Sequence, residues 1–74
     1  MMRLVKRSLL ERHPIEIIYM DSELQCTKRR ILVKKVETNY ITAYCFSRKD
    51  IRKFKIHDIL AAFPPLPRLN ETFS

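Results

Sequence analysis

A proline at position 14 divides the chain into a short helical segment and a longer segment whose hydrophobic residues alternate. Pro14 ends the helical segment because the residue before a proline is pushed away from helical angles. Downstream of it, period-two runs predict strands. Upstream, spacings of three and four predict one face of a short helix within residues 2–12, formed by Leu4, Val5, Ser8, Leu9 and Arg12.

Four alternating runs follow the proline, separated by short polar segments that supply turn chemistry. The runs are rich in β-branched and aromatic residues, as strands are. A further stretch, "HDILAAF", fits either one helical turn capped by Asp58 or a last short strand. Because the chain has no glycine, Asn39 is the expected left-handed turn residue. The predicted strands are residues 15–20, 26–37, 40–46 and 51–56.

This order of elements predicts a mainly β fold, namely a small SH3-like or Sm-like barrel of about five strands with a short N-terminal helix. The alternation alone does not separate that barrel from an open sheet packed on the helix. With 74 residues, 46% of them hydrophobic, the chain suits one small domain, which we place at residues 1–62. Residues 63–74 are proline-rich and aperiodic, and we expect them to form a tail.

The formal net charge is +7, from 15 lysines and arginines against 8 acidic residues. Such a balance attracts nucleic acid, nucleotides or an acidic protein surface. The two cysteines form no metal-binding or redox motif, and no stretch is apolar enough for a signal peptide or a membrane span. We therefore expect a cytoplasmic protein without a membrane partner.

No catalytic constellation is visible in the sequence. His13 and His57 lie away from any nucleophile signature, and the neighbours His57 and Asp58 are interpreted as an exposed strand end. The chain has no glycine-rich phosphate loop, and its dispersed carboxylates show no metal-ligand spacing. We predict a protein that is not an enzyme and that has neither a metal site nor a cofactor.

Arg52 interrupts an otherwise apolar row in the last of these runs. In a strand, Arg52, Phe54 and Ile56 share one face. An unpaired charge on a core-facing row is costly. The sequence leaves two explanations open, a bound anion or a structural salt bridge, for which the available carboxylates are Asp50, Asp58 and Glu16.

Basic and aromatic residues also lie on the neighbouring predicted strands. Guanidinium groups hold phosphate or carboxylate through a planar fork, and aromatic rings stack on bases. The alternative for each residue is that a tyrosine is half in the core and an arginine lies over it. The predicted ligand-binding residues are Tyr19, Arg30, Tyr40, Tyr44, Arg52 and Lys53.

A short helix followed by "IEIIYMD", "TKRRILV", "NYITAYC" and "RKFKIHDI" resembles the WYL domain, a bacterial module named for a Trp-Tyr-Leu stretch. The resemblance covers residues 3–60. Tyr19 falls on the tyrosine that ends the family's first strand, and Tyr40 and Ile41 fall on the second and third letters of its name motif. The family's closing pattern of arginine, aromatic, aliphatic and Asp/Arg-Ile falls on Arg52, Phe54, Ile56, Asp58 and Ile59.

The chain also departs from the family pattern. Asn39 stands where the tryptophan would be, and Val33 stands near where many members carry a proline. The dozen residues before the strands are too few for the helix-turn-helix that usually precedes the domain in transcription regulators. The resemblance implies an Sm-like barrel that senses small ligands or nucleic acid, in some members beside CRISPR systems. It also implies that Arg52 and its basic and aromatic neighbours line a ligand groove.

The expected function is therefore a non-enzymatic regulatory module that binds single-stranded nucleic acid or a nucleotide through a basic and aromatic groove. The alternative is a protein–protein interaction or oligomerisation module without a small ligand. In that case the chain forms a homodimer or a higher oligomer, because exposed strand edges are ready templates for pairing.

Overall fold

The computed structural model describes residues 2–64, in which one helix precedes five strands. The predicted helix and the first four predicted strands are confirmed with each end within one residue, and "HDILAAF" forms both a 3₁₀ turn and a strand. The last strand includes Phe63, and the rest of the predicted tail, residues 65–74, lies outside the described residues. The elements are α1 (Met2–Glu11), β1 (Ile15–Met20), β2 (Cys26–Val36), β3 (Tyr40–Cys45), β4 (Asp50–Lys55), the 3₁₀ turn (Ile56–Asp58) and β5 (Ile59–Phe63).

The five strands form one antiparallel sheet in the order β4-β3-β2-β1-β5. This confirms a mainly β fold with an N-terminal helix. β4 and β5 are the two edges, and the described strands do not pair to close the sheet. The structure therefore shows an open sheet where the sequence predicts an SH3-like or Sm-like barrel.

The sheet is nevertheless strongly curved, as one aromatic contact demonstrates. Tyr19 of β1 meets Phe54 of β4 edge to face, with ring centroids 5.0 Å apart, although β2 and β3 lie between these strands. The backbone N–H of Lys55 also donates a hydrogen bond to Tyr19 Oη, with an N···O distance of 3.3 Å. The Tyr19 side chain thus connects β1 to β4 where no backbone pairing does.

One side of the curved sheet, which we call the inner face, forms the hydrophobic core, and the opposite side is the outer face. Alternate residues of each strand point to the inner face, which follows from the pleat. The helix adds Val5 to this core. The buried inner-face residues are Ile15, Ile17, Ile31, Val33, Ile41, Ala43, Cys45, Phe54 and Ile59.

The helix is joined to the sheet by a buried hydrogen bond. β2 has 11 residues and β1 has 6, and their pairing begins at Ile15 opposite Ile31. The residues of β2 beyond Ile31 therefore extend past the start of β1. There the backbone N–H of Val33 donates to the Oγ of Ser8 at 3.1 Å, and Ser8 is fully buried. The helical serine satisfies a strand donor, as a buried backbone group requires.

The prediction of a left-handed conformation at Asn39 is wrong. Among the described residues, positive φ occurs at Arg12 (56°), Leu24 (62°) and Lys49 (56°). The turn at Asn39 is instead closed by the Glu37 N–H, which donates to the Tyr40 carbonyl at 2.8 Å. The Asn39 carbonyl accepts the N–H of Ile56 at 2.9 Å, which continues the pairing of β3 with β4.

Candidate functional site

Arg52 has an inner-face register but is exposed to solvent. It lies opposite Ala43, and the next inner-face residue of its strand, Phe54, lies opposite Ile41 and is 1% exposed. The expectation that Arg52 lies in a core row is therefore corrected. β4 is an edge strand, and only its second half reaches the core. The ion pairs among residues 2–64 do not include Arg52, so no salt bridge there accounts for it.

A second inner-face arginine, Arg29, is absent from the predicted set. It is paired with the buried Ile17 and is half-buried itself. Its Nε donates to Thr27 Oγ1 at 3.1 Å, and its Nη1 lies 4.0 Å from Cys45 Sγ. The alternation of β2 carries the signal for it, because Arg29 shares a face with Ile31 whereas Arg30 does not.

Arg30 lies on the outer face and shares a carboxylate with a lysine. Arg30 Nη2 is 3.5 Å from Glu16 Oε2, and Lys28 Nζ is 3.1 Å from Glu16 Oε1. The Glu16 side chain is only 14% exposed, so solvent screens its attraction to the two cations less than it would on an open surface. Part of the positive charge that the sequence places at this point is thus neutralised within the protein.

Tyr40, Tyr44 and Lys53 also lie on the outer face. Lys53 Nζ stands 4.8 Å from the centroid of the Tyr40 ring, a cation–π contact. Tyr44 lies between Leu32 and Ile51 on the neighbouring strands. Its ring meets Phe46 edge to face at a centroid distance of 5.1 Å.

The six predicted ligand-binding residues are thus divided between the two faces of the sheet. Tyr19 and Arg52 belong to the inner face, where the structure adds Arg29. The other four belong to the outer face. A single groove that contains all six is not formed within the described part of the chain. The outer-face members are Arg30, Tyr40, Tyr44 and Lys53.

The electrostatics around Arg29 also act on the buried thiol of Cys45. Burial raises the pKa of Cys45, but hydrogen bonds with the Ser47 hydroxyl, the Arg48 N–H and the Arg29 guanidinium lower it, and the net result is a pKa below the ordinary value. The polar atoms at this end of the inner face therefore favour negative charge.

Elsewhere, the described residues offer little catalytic chemistry. The His57 side chain is 78% exposed, with Nε2 3.4 Å from Asp58 Oδ1. Neither of two shallow pockets in residues 2–64, one of about 210 Å³ beside α1 and Pro64 and one of about 320 Å³ beside Lys34, includes this pair. In the same residues no three His, Cys, Asp or Glu side chains are grouped to hold a metal ion. No helix of this part is long and apolar enough to cross a membrane.

One solved structure is similar in fold. The proteasome accessory factor B/C (PafBC) of Arthrobacter aurescens superimposes with a TM-score of 0.73 at 17% sequence identity. The similarity covers 89% of this chain but only 11% of the PafBC chain, so it concerns the fold of one part of that protein. No curated protein matches the chain.

The sequence itself matches a family model over most of its length. The model of the WYL domain matches residues 1–64, which includes every described helix and strand. The resemblance noted from the sequence, over residues 3–60, is thereby confirmed. The chain belongs to the WYL domain family.

Proposed function

We propose that the chain is a non-enzymatic regulatory module that binds a negatively charged ligand, single-stranded nucleic acid or a nucleotide, at Arg29 and Arg52. One observation carries this proposal. Both arginines have inner-face positions, and the ion pairs within residues 2–64 include neither of them. Arg30, by contrast, already shares Glu16 with Lys28.

The chemistry of each arginine suits a phosphate group. Arg29 is oriented by its hydrogen bond to Thr27, so less side-chain freedom is lost when its remaining N–H groups bind a ligand. A guanidinium fork makes two parallel hydrogen bonds to a phosphate, which a lysine does not. The half-buried Tyr19 lies on the same face, and a base or sugar can pack against its ring.

Membership of the WYL family supports a regulatory, ligand-binding role, because that is the role the family's members are regarded as having. The fold similarity to a proteasome accessory factor agrees with a module that serves a larger protein. The identity of the ligand rests on the charge of the chain and on the arginine geometry, and these are what the experiment tests.

The test is a titration of the full chain against fluorescein-labelled oligothymidine of 12 nucleotides, measured by fluorescence anisotropy at several salt concentrations. If two arginines each neutralise one phosphate, the logarithm of the affinity should fall with the logarithm of salt concentration with a slope of about −1.4. Competition by unlabelled ATP then shows whether a nucleotide occupies the same site.

Substitution separates the two arginines from the general positive charge. Arg52→Ala and Arg29→Ala should each weaken binding about tenfold or more, since hydrogen bonds to charged groups contribute about 1.5–3 kcal/mol. Arg52→Lys keeps the charge and loses the fork, so it should recover only part of the affinity. Arg3→Ala, an equal charge change on the exposed side of α1, is the control. Equal losses for all the alanine variants, or a flat salt response, would refute the proposed site.

The outer-face residues remain a separate prediction. A ligand on Arg29 and Arg52 reaches Tyr44 only by passing around the edge of the sheet. Tyr44→Ala should therefore leave ATP competition unchanged. Unchanged oligothymidine affinity in the same variant would remove Tyr44 from the binding surface.

A further inference from the structure

A pocket of about 210 Å³ lies beside α1, where the helix, the segment that follows it and the end of β5 come together. The helix packs mainly on β2 and makes less contact with β1 and β5. The pocket occupies the side with less contact, because its lining includes Ile15 of β1 and Pro64, which follows β5. Neither Arg29 nor Arg52 lines it, so a ligand of this pocket belongs to a second site.

The buried part of the lining is mostly apolar, whereas the exposed part is basic. Ile15 is 2% exposed, and Leu4 and Pro14 are half-buried. Arg7 and His13 line the same pocket and are exposed to solvent. A ligand that matches this lining has an apolar body and a negatively charged group at one end.

Ser8 also lines the pocket, but its hydroxyl is already engaged. Its Oγ accepts the backbone N–H of Val33 at 3.1 Å, and the residue is fully buried. The polar end of a ligand is therefore recognised on the exposed side, by Arg7 and His13. The apolar end lies near the hydrogen bond that joins the helix to the sheet.

Arg7 keeps most of its hydrogen-bonding capacity for a ligand. Its Nε donates to Glu11 Oε1 at 3.0 Å, one turn further along the helix. This bond orients the guanidinium and leaves its two Nη groups, which form a planar fork suited to a carboxylate. Both side chains of the ion pair are more than half exposed, so Glu11 offsets only part of the positive charge. His13 adds a ring N–H donor beside this fork.

The volume of the pocket limits the ligand to a small molecule. A cavity of about 150 Å³ in another protein binds benzene. The pocket beside α1, at about 210 Å³, is large enough for one ring that carries a carboxylate. It is smaller than the roughly 300–1,000 Å³ of sites that hold drug-sized ligands. Because a single arginine lines it, one carboxylate group is matched rather than two.

We infer that this pocket binds a small monocarboxylic acid whose apolar part has the size of a single ring. The ring packs on Leu4, Pro14 and Ile15, and the carboxylate binds the fork of Arg7 and the N–H of His13. Because the lining comes from the helix and from both ends of the β1–β5 pair, a bound acid holds α1 against strands that it otherwise contacts little. The site goes beyond the proposed anion site, since it requires an apolar body as well as a charge.

The experiment is an NMR titration of the ¹⁵N-labelled full chain with benzoate. The backbone amides of Ser8, His13 and Ile15, which we call the pocket amides, should shift and reach saturation. A Kd of about 1 mM or tighter is expected for a ligand of this size. Benzyl alcohol keeps the ring without the charge, and acetate keeps the charge without the ring. Each should bind at least about tenfold more weakly, because each lacks one of the two contributions.

Variants of the full chain separate the pocket from general charge and from the anion site. Arg7→Gln should weaken benzoate binding about tenfold or more. Lys6→Gln removes the same charge from a neighbouring exposed position of α1 that does not line the pocket, and it should have little effect. Leu4→Trp enlarges a side chain of the lining and should abolish binding, with circular dichroism as the check on folding. Arg52→Ala should bind benzoate as wild type does, although it should lose affinity for oligothymidine, so failure at one site is measured separately from failure at the other.

Three results would overturn the inference. Equal affinity for benzoate and benzyl alcohol would show that the pocket does not recognise a carboxylate. Equal losses in Arg7→Gln and Lys6→Gln would reduce the effect to general charge. Pocket amides that stay unshifted while those of Arg29 and Arg52 move would place benzoate at the anion site, and no shift at all would remove the acid as a ligand.

Discussion

Replacing Ser8 with alanine tests whether the helix is held on the sheet by a single buried hydrogen bond. Ser8 is fully buried. Its Oγ accepts a hydrogen bond from the backbone N–H of Val33, a residue that is 2% exposed. The substitution removes the acceptor and leaves the strand donor without a partner in a site that water does not reach. The side-chain volume changes little, so the loss of this bond dominates the effect.

The size of the effect follows from two opposing contributions. A buried donor left unsatisfied costs about 1–3 kcal/mol. Alanine in a helix is favoured over serine by about 0.5 kcal/mol, which offsets part of that cost. The free energy of unfolding should therefore fall by about 0.5–2.5 kcal/mol. In a domain of this size each kcal/mol lowers the melting temperature by about 4–8 °C.

The assay is urea unfolding of wild type and Ser8→Ala, followed by far-ultraviolet circular dichroism. The midpoint should fall while the slope with denaturant stays the same, since the native state buries the same surface. Ser22→Ala, in an exposed turn, serves as control and should change stability by less than about 0.5 kcal/mol. A Ser8→Ala protein as stable as wild type would refute the reasoning. The backbone N–H of Val33 would then have found another acceptor, either a water molecule or a protein group that has moved.

Four further substitutions test the core, the curvature, a turn and the thiol. Phe54→Ala should lower the free energy of unfolding by about 3–5 kcal/mol, because Phe54 is buried in the core. Tyr19→Phe removes only the acceptor of the Lys55 N–H, which water can then reach, so it should lower the free energy of unfolding by less than about 1 kcal/mol. Urea titration of both variants measures the difference. Leu24→Gly should raise the melting temperature, because relief of about 1–2 kcal/mol at its positive φ exceeds the entropy that glycine adds to the unfolded chain, about 0.4–1 kcal/mol. The pKa of Cys45 is lowered in the folded protein, so its contribution to stability should be lost as pH falls through the folded pKa and be fully present above the unfolded value. Urea midpoints from pH 6 to 9.5 should therefore rise with pH more in wild type than in Cys45→Ala, and parallel curves would contradict this.

Local patterns account for most of the fold. Helical spacing before Pro14 and period-two alternation after it predict α1 and the strands, because each pattern matches the geometry of one backbone conformation. The same alternation assigns Ile15, Ile17 and Tyr19 correctly to one face. It does not reveal that the Tyr19 ring reaches Phe54, since that contact depends on the curvature of the whole sheet.

The candidate site was less predictable, for a related reason. Alternation distinguishes Arg29 from Arg30, but it does not show that Glu16 pairs with Arg30 and that no ion pair within residues 2–64 includes Arg29. That depends on the register between β1 and β2. Arg52 was placed on the correct row, yet its exposure depends on β4 being an edge strand. The order of strands in a sheet is a long-range property.

Residue type and spacing along the chain determined the elements, their faces and membership of the WYL family. The tertiary structure decided which cations are paired, which aromatic rings meet, and which strands lie at the edges of the sheet. Left-handed turns at Arg12, Leu24 and Lys49, in place of Asn39, belong to the second group, because closure of each turn is set by the two elements it joins. Helix and strand conformation follows from near neighbours, whereas turn conformation, exposure and charge pairing depend on residues brought together by the sheet.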